Sequence, residues 1–150
     1  MSIELTKLTP EQVMEYWPQI RECIEVSLPP LVRADAESIL RVQESLLLGR
    51  LECWVASETR DLTKTLGIAT TCFVTDEISL TKNLLIYTAT TIAPHSQDLW
   101  SVSYGVLARY ARSRNCKNII AYSEQPEVIN LVERIGGTSN WRILYFELGK

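Results

Sequence analysis

Apolar positions change their period several times along the chain, and each change marks an element. Ile3 to Leu8 reads as a short first strand. Thr9-Pro10-Glu11-Gln12 then starts a helix, with Thr at the N-cap, Pro at the first helical position and Gln at the capping-box position. Behind it Val13, Trp17, Ile20, Ile24 and Leu28 recur at helical spacing. Pro18 lies inside this stripe, and its missing N–H must kink or restart the helix. Pro29-Pro30 ends it. Asp35 suits the cap of a second helix, with the stripe Ile39, Val42, Leu46 and with Gly49 near its end.

Cys53 to Ser57 is a short apolar strand, and Glu58 to Lys64 a polar loop. Leu66 to Val74 and Asn83 to Ala93 are rich in Thr, Ile, Val and aromatic residues, as strands are. A turn at Asp76-Glu77 predicts an antiparallel hairpin between them. Pro94 stops the second strand. Gln97 to Asn115 is an amphipathic helix with Leu99, Val102, Val106 and Tyr110 on one face. Asn118 to Tyr122 reads as a buried strand. Pro126 opens a helix carrying Val128, Leu131, Val132 and Ile135, and Gly136-Gly137 stops it. Arg142 to Leu148 reads as the last strand, with Gly137 to Trp141 able to pair with it. The sum is an α+β chain: a mixed, mostly antiparallel sheet of about six or seven strands with helices on both faces.

Length adds that 150 residues make one ordinary domain, spanning 1–150. A hydrophobic fraction of 46% and a charged fraction of 22% exclude disorder and a disulfide scaffold. A net charge of -3 argues against nucleic acid or an acidic membrane as the partner. Cys23, Cys53, Cys72 and Cys116 have apolar neighbours and no metal-ligand spacing, so they read as buried free thiols. One histidine, His95, cannot build a His-rich metal site, and no metal is expected. The N-terminus lacks the pattern of a signal peptide, which makes the expected location cytoplasmic.

The most telling stretch is Asn83 to Leu148. A long strand ends at Ile92-Ala93-Pro94, and a helix and the strand Asn118 to Tyr122 follow. Then Gln125-Pro126-Glu127-Val128 leads through Leu131-Val132-Glu133-Arg134-Ile135 to Gly136-Gly137. Across the whole chain this order resembles the GNAT family, the Gcn5-related N-acetyltransferases. Gln125 stands where the family usually has Asn, and Gly137 where it has Phe.

The resemblance implies an acetyl-CoA site in the loop after Pro94. There a family motif of Arg or Gln, two residues, Gly, one residue, then Gly or Ala cradles the pyrophosphate with backbone N–H groups. Gln97 takes the first place, but Trp100 and Val102 take the glycine places, and no Gly occurs between Gly67 and Gly105. The family's general-acid Tyr place holds Val132, and Asn83 to Ala93 contains no Asp or Glu to act as base.

Other residues leave alternatives open. His95 is a general base matched to neutral pH, or an exposed loop histidine. Trp100 stacks on a ligand, fills the space a pyrophosphate would take, or packs in the core. Tyr122 is a catalytic phenol, or a packed Tyr with a bonded hydroxyl. Arg109, Arg112, Arg114 and Lys117 meet an acidic partner, or complement the helix dipole.

The missing parts point to a GNAT-fold protein that has lost acetyl-CoA catalysis and needs no cofactor. It would serve as a binding, assembly or structural module, through a protein partner or self-association. Trp17, Trp141 and Tyr145 would then be contact aromatics. The alternative is an atypical N-acyltransferase acting on an amine. There the backbone of Thr90, Thr91 and Ile92 would hold acetyl-CoA, beside Gln97, Trp100 and Val102. A small protein binding another nucleotide or metabolite in the same cleft is a third reading, unsupported by any phosphate-cradling glycine run.

Overall fold

The computed structural model describes residues 2–29, 32, 35–58, 64–92, 98–123 and 126–149. Thr9 and Gln12 form the expected capping box. Thr9 Oγ1 accepts from the Gln12 N–H at 3.2 Å, and Gln12 Oε1 accepts from the Thr9 N–H at 2.9 Å. This box opens α1 (Pro10–Glu15), and Pro18 sits in the first turn of a new helix, α2 (Trp17–Ser27). The proline therefore restarts the helix, since its ring needs no N–H partner in a first turn. Asp35 Oδ1 accepts from the Ser38 N–H at 2.8 Å and caps α3 (Ala36–Leu48). Gly49 ends α3 at φ +77°, a left-handed conformation that suits glycine.

The sheet runs β1 (Ile3–Lys7), β2 (Glu52–Glu58), β3 (Thr65–Thr75), β4 (Lys82–Thr91) and β5 (Asn118–Ala121), in that spatial order. The first three pairings are antiparallel and β4–β5 is parallel. A parallel neighbour requires a crossover, supplied by α4 (Asp98–Ser113). The last helix, α5 (Pro126–Arg134), follows β5. Ile20 and Ile24 of α2 and Ile39, Val42 and Leu46 of α3 bury one face of the sheet against Cys53, Val55 and Ile68. On the other face Leu107 and Ala111 of α4 pack with Trp54 and Leu84. Helices thus cover both faces, as expected.

The β3–β4 turn falls at Asp76. Its Oδ1 accepts from the N–H groups of Ile78 and Ser79 at 2.9 and 3.0 Å, and these bonds hold its carboxyl below the usual carboxylate range. Leu80, at φ +60° and exposed, occupies a left-handed conformation that a Cβ disfavours by about 1–2 kcal/mol. Leu80→Asn is therefore expected to stabilise the chain by about 1 kcal/mol. Urea unfolding of the two proteins checks it; an unchanged or lower midpoint counts against strain at this turn.

Two expectations need correction. Residues 137–149 form no strand, so the described sheet has five strands rather than six or seven. A strand needs a neighbour for its backbone groups as well as an alternating pattern. Residues 142–148 have the pattern and are exposed. On α4 the buried residues are Leu99, Leu107, Ala108 and Ala111, while Val102 is exposed. The inward stripe steps by four from Leu99, which turns Val102 away from the sheet. Among the described residues no helix is long and apolar enough to cross a membrane.

Candidate functional site: the gap between β4 and β5

β4 and β5 lie side by side only from Asn83–Asn118 to Ile86–Ala121. On its other edge β4 stays paired with β3 as far as Thr91. From Tyr87 onward, no strand among the described residues lies on the β5 side, and the sheet opens into a notch. The register explains where it opens. Thr70 pairs with Thr88 but Thr71 pairs with Ile86, leaving Tyr87 as the extra residue of a β-bulge. A bulge bends its strand and breaks the ladder at that point. Buried Thr70 and Thr88 lock the register there with an Oγ1–Oγ1 hydrogen bond of 2.6 Å. Leu99, in the first turn of α4, is buried with Ala56 and Leu66, so that turn sits at the same end of the sheet.

The notch presents main chain. The Ile92 N–H donates to the Leu66 carbonyl at 2.8 Å, so Ile92 faces β3. Thr90 faces the same way, since its carbonyl lies 3.0 Å from where a Cβ on Gly67 would stand. Glycine at 67 is what permits that approach. By two-residue alternation, Ala89 and Thr91 turn their backbone groups to the open side. Of Thr90, Thr91 and Ile92, only Thr91 therefore offers main chain to a ligand in the notch. Thr90 acts elsewhere: its Oγ1 donates to the Cys23 carbonyl at 3.2 Å and ties α2 to the end of β4.

The other sequence candidates are spread around this end. Trp100 is half-buried in the first turn of α4, and Val102 is exposed one helical step on. Tyr122 is exposed just past the end of β5, so it is not packed, and β5, as an edge strand, has both its ends exposed rather than being the buried strand expected. His95 and Gln97 lie outside the described residues. Val132 is half-buried on α5, against Gly137: a Cβ there would come within 2.5 Å of the Val132 Cγ1 atom. Among the candidate aromatics, Trp17 packs against the core, whereas Trp141 and Tyr145 are exposed. Arg112 lies in the last turn of α4, where its charge complements the dipole, and the Arg114 guanidinium lies 5.3 Å from the Tyr110 ring centre. Among the described residues no group of three or more His, Cys, Asp or Glu could hold a metal ion.

Tyr87 was legible in the sequence only as a strand former, because a bulge depends on the register of two strands. It is half-buried against the α2 side of the sheet. Burial, followed by the nearby Cys72, pushes its phenol up, so it holds its proton at neutral pH.

A second polar cluster lies at the other end of the sheet. The Tyr110 hydroxyl donates to Glu52 Oε2 at 2.5 Å, and Lys7 Nζ is 2.9 Å from the same oxygen. The Tyr110 ring meets Trp54 edge-on at 5.0 Å, and Trp54 Nε1 donates to Thr71 Oγ1 at 2.8 Å. Burial first, then the Glu52 hydrogen bond, pushes the Tyr110 phenol up to about 12. The folded chain thus holds this proton more tightly than the unfolded one. The stabilisation is complete below pH ~10, the ordinary tyrosine value, and is lost as pH rises toward about 12. In urea unfolding over that window, the wild type is expected to lose stability more steeply than Tyr110→Phe. Parallel slopes would exclude Tyr110 as the source.

All four cysteines are free thiols, Cys23 and Cys53 buried and Cys72 and Cys116 half-buried. Burial pushes Cys53 up to about 12. Cys53 is therefore expected to resist alkylation at neutral pH until the chain unfolds; fast native labelling of Cys53 in a peptide map would contradict this burial.

No family model and no curated protein matches the chain. Solved structures do. One, of AAC(6')-Iy in complex with a CoA-linked bisubstrate analog, aligns at TM-score 0.72 and 11% identity over 100% of both chains. A predicted acetyltransferase with acetyl-CoA from Clostridium acetobutylicum aligns at 0.66 and 17% over 96% of both. A GNAT family acetyltransferase from Staphylococcus aureus aligns at 0.66 and 15%, covering 99% of this chain and 100% of its own. The chain therefore has the GNAT fold that its sequence resembles.

Proposed function

We propose that this GNAT-fold chain is a binding or assembly module that does not transfer acetyl groups. One observation carries the reading: the first turn of α4 contains Trp100, and Val102 follows one residue beyond that turn, where an acetyl-CoA site needs open backbone N–H groups. A helix N-terminus attracts phosphate through its exposed N–H groups and its positive dipole end. A tryptophan in a glycine place opposes a pyrophosphate by volume. β4 also lacks a carboxylate base, and Val132 cannot protonate a leaving thiolate.

The test is acetyl-CoA binding by calorimetry and thermal shift. Ligand at a hundredfold above Kd would stabilise the chain by about 2.7 kcal/mol. A domain of this size would then melt several degrees higher. No shift and no binding heat at millimolar acetyl-CoA are expected. Saturable binding with turnover of an amine would overturn the reading.

The open notch favours a second reading, an atypical acetyl-CoA-dependent N-acyltransferase. Thr91 and Ala89 would bond an extended pantetheine arm, as added strands are bonded. Two of the similar solved structures carry acetyl-CoA or a CoA analog. Tyr87, at the bulge and protonated at neutral pH, would supply the acid. In that case Tyr87→Phe lowers kcat by about a hundredfold or more with KM for acetyl-CoA little changed. Equal activity of the two proteins removes Tyr87 from this role.

A further inference from the structure

The polar cluster around Tyr110 continues into a row of rings and cations. The Phe73 ring lies 5.9 Å from the Tyr110 ring, tilted by 31°. Lys82 Nζ stands 4.4 Å from the Phe73 ring centre, and the Arg114 guanidinium and Lys7 Nζ stand 5.3 and 5.4 Å from that of Tyr110. All fall within the ~6 Å over which a ring attracts a cation. Lys117 joins the row, since its N–H donates to the Lys82 carbonyl at 2.8 Å.

A ring holds a cation in place without neutralising it. The carboxylate of this cluster, Glu52, is taken by Lys7 and by the Tyr110 hydroxyl. Among the described residues Lys82, Arg114 and Lys117 have no ion pair. Three uncompensated positive charges thus stand together on a chain whose net charge is -3. Arg114 shares the Tyr110 side of α4, one turn on. Arg109 and Arg112 are exposed on other sides of that helix and are not part of the row.

The β3–β4 turn projects from the same end of the sheet, since Thr75 pairs with Lys82 across its base. Its apolar side chains are bare: Ile78 is 95% and Leu80 77% exposed. The Leu80 N–H donates to the Asp76 carbonyl at 2.7 Å, and the Asp76 N–H to the Thr81 carbonyl at 2.9 Å, so the turn has a fixed shape. Leu80 keeps its left-handed conformation at a cost in stability. Bare apolar side chains on a fixed, strained backbone mark a contact surface.

We propose that this end of the sheet docks an acidic, partly apolar peptide segment of a partner protein. Its carboxylates pair with Lys82, Arg114 and Lys117, and its apolar residues cover Ile78 and Leu80. Cations already held on rings lose little freedom on pairing, which lowers the entropic cost. Exposed Asp76 and Glu77 at the turn disfavour a phosphate backbone or an anionic membrane, which present negative charge throughout. A peptide spaces its carboxylates and can meet the cations while leaving the turn to apolar contacts.

This surface gives the binding module its partner and rests on that reading, yet the two fail separately. Amine turnover with acetyl-CoA overturns the module; a chain that binds neither acetyl-CoA nor the peptide loses only this surface. The probe is a dye-labelled synthetic peptide alternating glutamate or aspartate with leucine, titrated with the full chain by fluorescence anisotropy. Saturable binding that weakens as salt rises is expected. The triple variant Lys82→Gln, Arg114→Gln, Lys117→Gln should bind about tenfold more weakly or worse. Arg109→Gln with Arg112→Gln should bind as the wild type does. Leu80→Asn should weaken binding while raising the urea midpoint, opposite signs that a folding defect would not give. Absence of saturable binding overturns the proposal, and so does equal weakening by the two sets of charge variants. Tighter binding of single-stranded RNA, or of vesicles of phosphatidylserine and phosphatidylcholine, than of the peptide would also overturn it.

Discussion

Leu84→Ala is expected to cost about 2–5 kcal/mol, toward the upper end of that range. Leu84 is fully buried on β4, the strand between β3 and β5. It pairs with Phe73 on one side and Ile119 on the other. Leu107 and Ala111 of α4 close over the same cluster. Strand backbones on both sides and a helix above leave little freedom to collapse, so most of the cavity would persist. Urea unfolding with an unchanged m-value measures the loss. A cost below ~1 kcal/mol would mean that the cluster repacks, contrary to this geometry.

Ile24→Ala is expected to cost a similar amount, about 2–5 kcal/mol, from the opposite face of the sheet. Ile24 is 1% exposed and packs with residues of α1, α3, β2 and β3. Ile24→Val should cost only about 0.5–1.5 kcal/mol, because it removes one methylene and keeps the branch. The sheet separates Ile24 from Leu84, so the two alanine losses should add within about 0.5 kcal/mol. Against a total stability of roughly 5–15 kcal/mol, the double variant would be near unfolding at room temperature. If the double variant loses much less than the sum, the two faces form one coupled core. Ile24→Ala has a further consequence, since the neighbouring Cys23 carbonyl holds Thr90. Looser packing of α2 should speed hydrogen exchange at the end of β4 more than at its start.

The helix starts were legible because capping is local. Thr9 with Gln12, and Asp35 with Ser38, act over three residues. The hairpin was legible for the same reason, since Asp76 bonds to the next turn of its own chain. The last strand was not, because its alternation reports a propensity and the neighbour it needs is remote. Val102 was assigned to the buried face of its helix because apolar type alone cannot show which stripe faces the sheet. The candidate site divides in the same way. The glycines missing between Gly67 and Gly105 are plain in the sequence. The Tyr87 bulge and the outward main chain of Thr91 required the pairing of β3 with β4.

By itself the sequence determined the order of elements from β1 to α5, the caps of α1 and α3, and the absence of familiar catalytic side chains. These depend on residue type and short spacing, and each carries its own physical cause. Only the tertiary structure decided where β4 and β5 part, which backbone groups face the gap, and that residues 142–148 lie outside the sheet. Those features are set by strand register and by contacts between residues far apart in the chain.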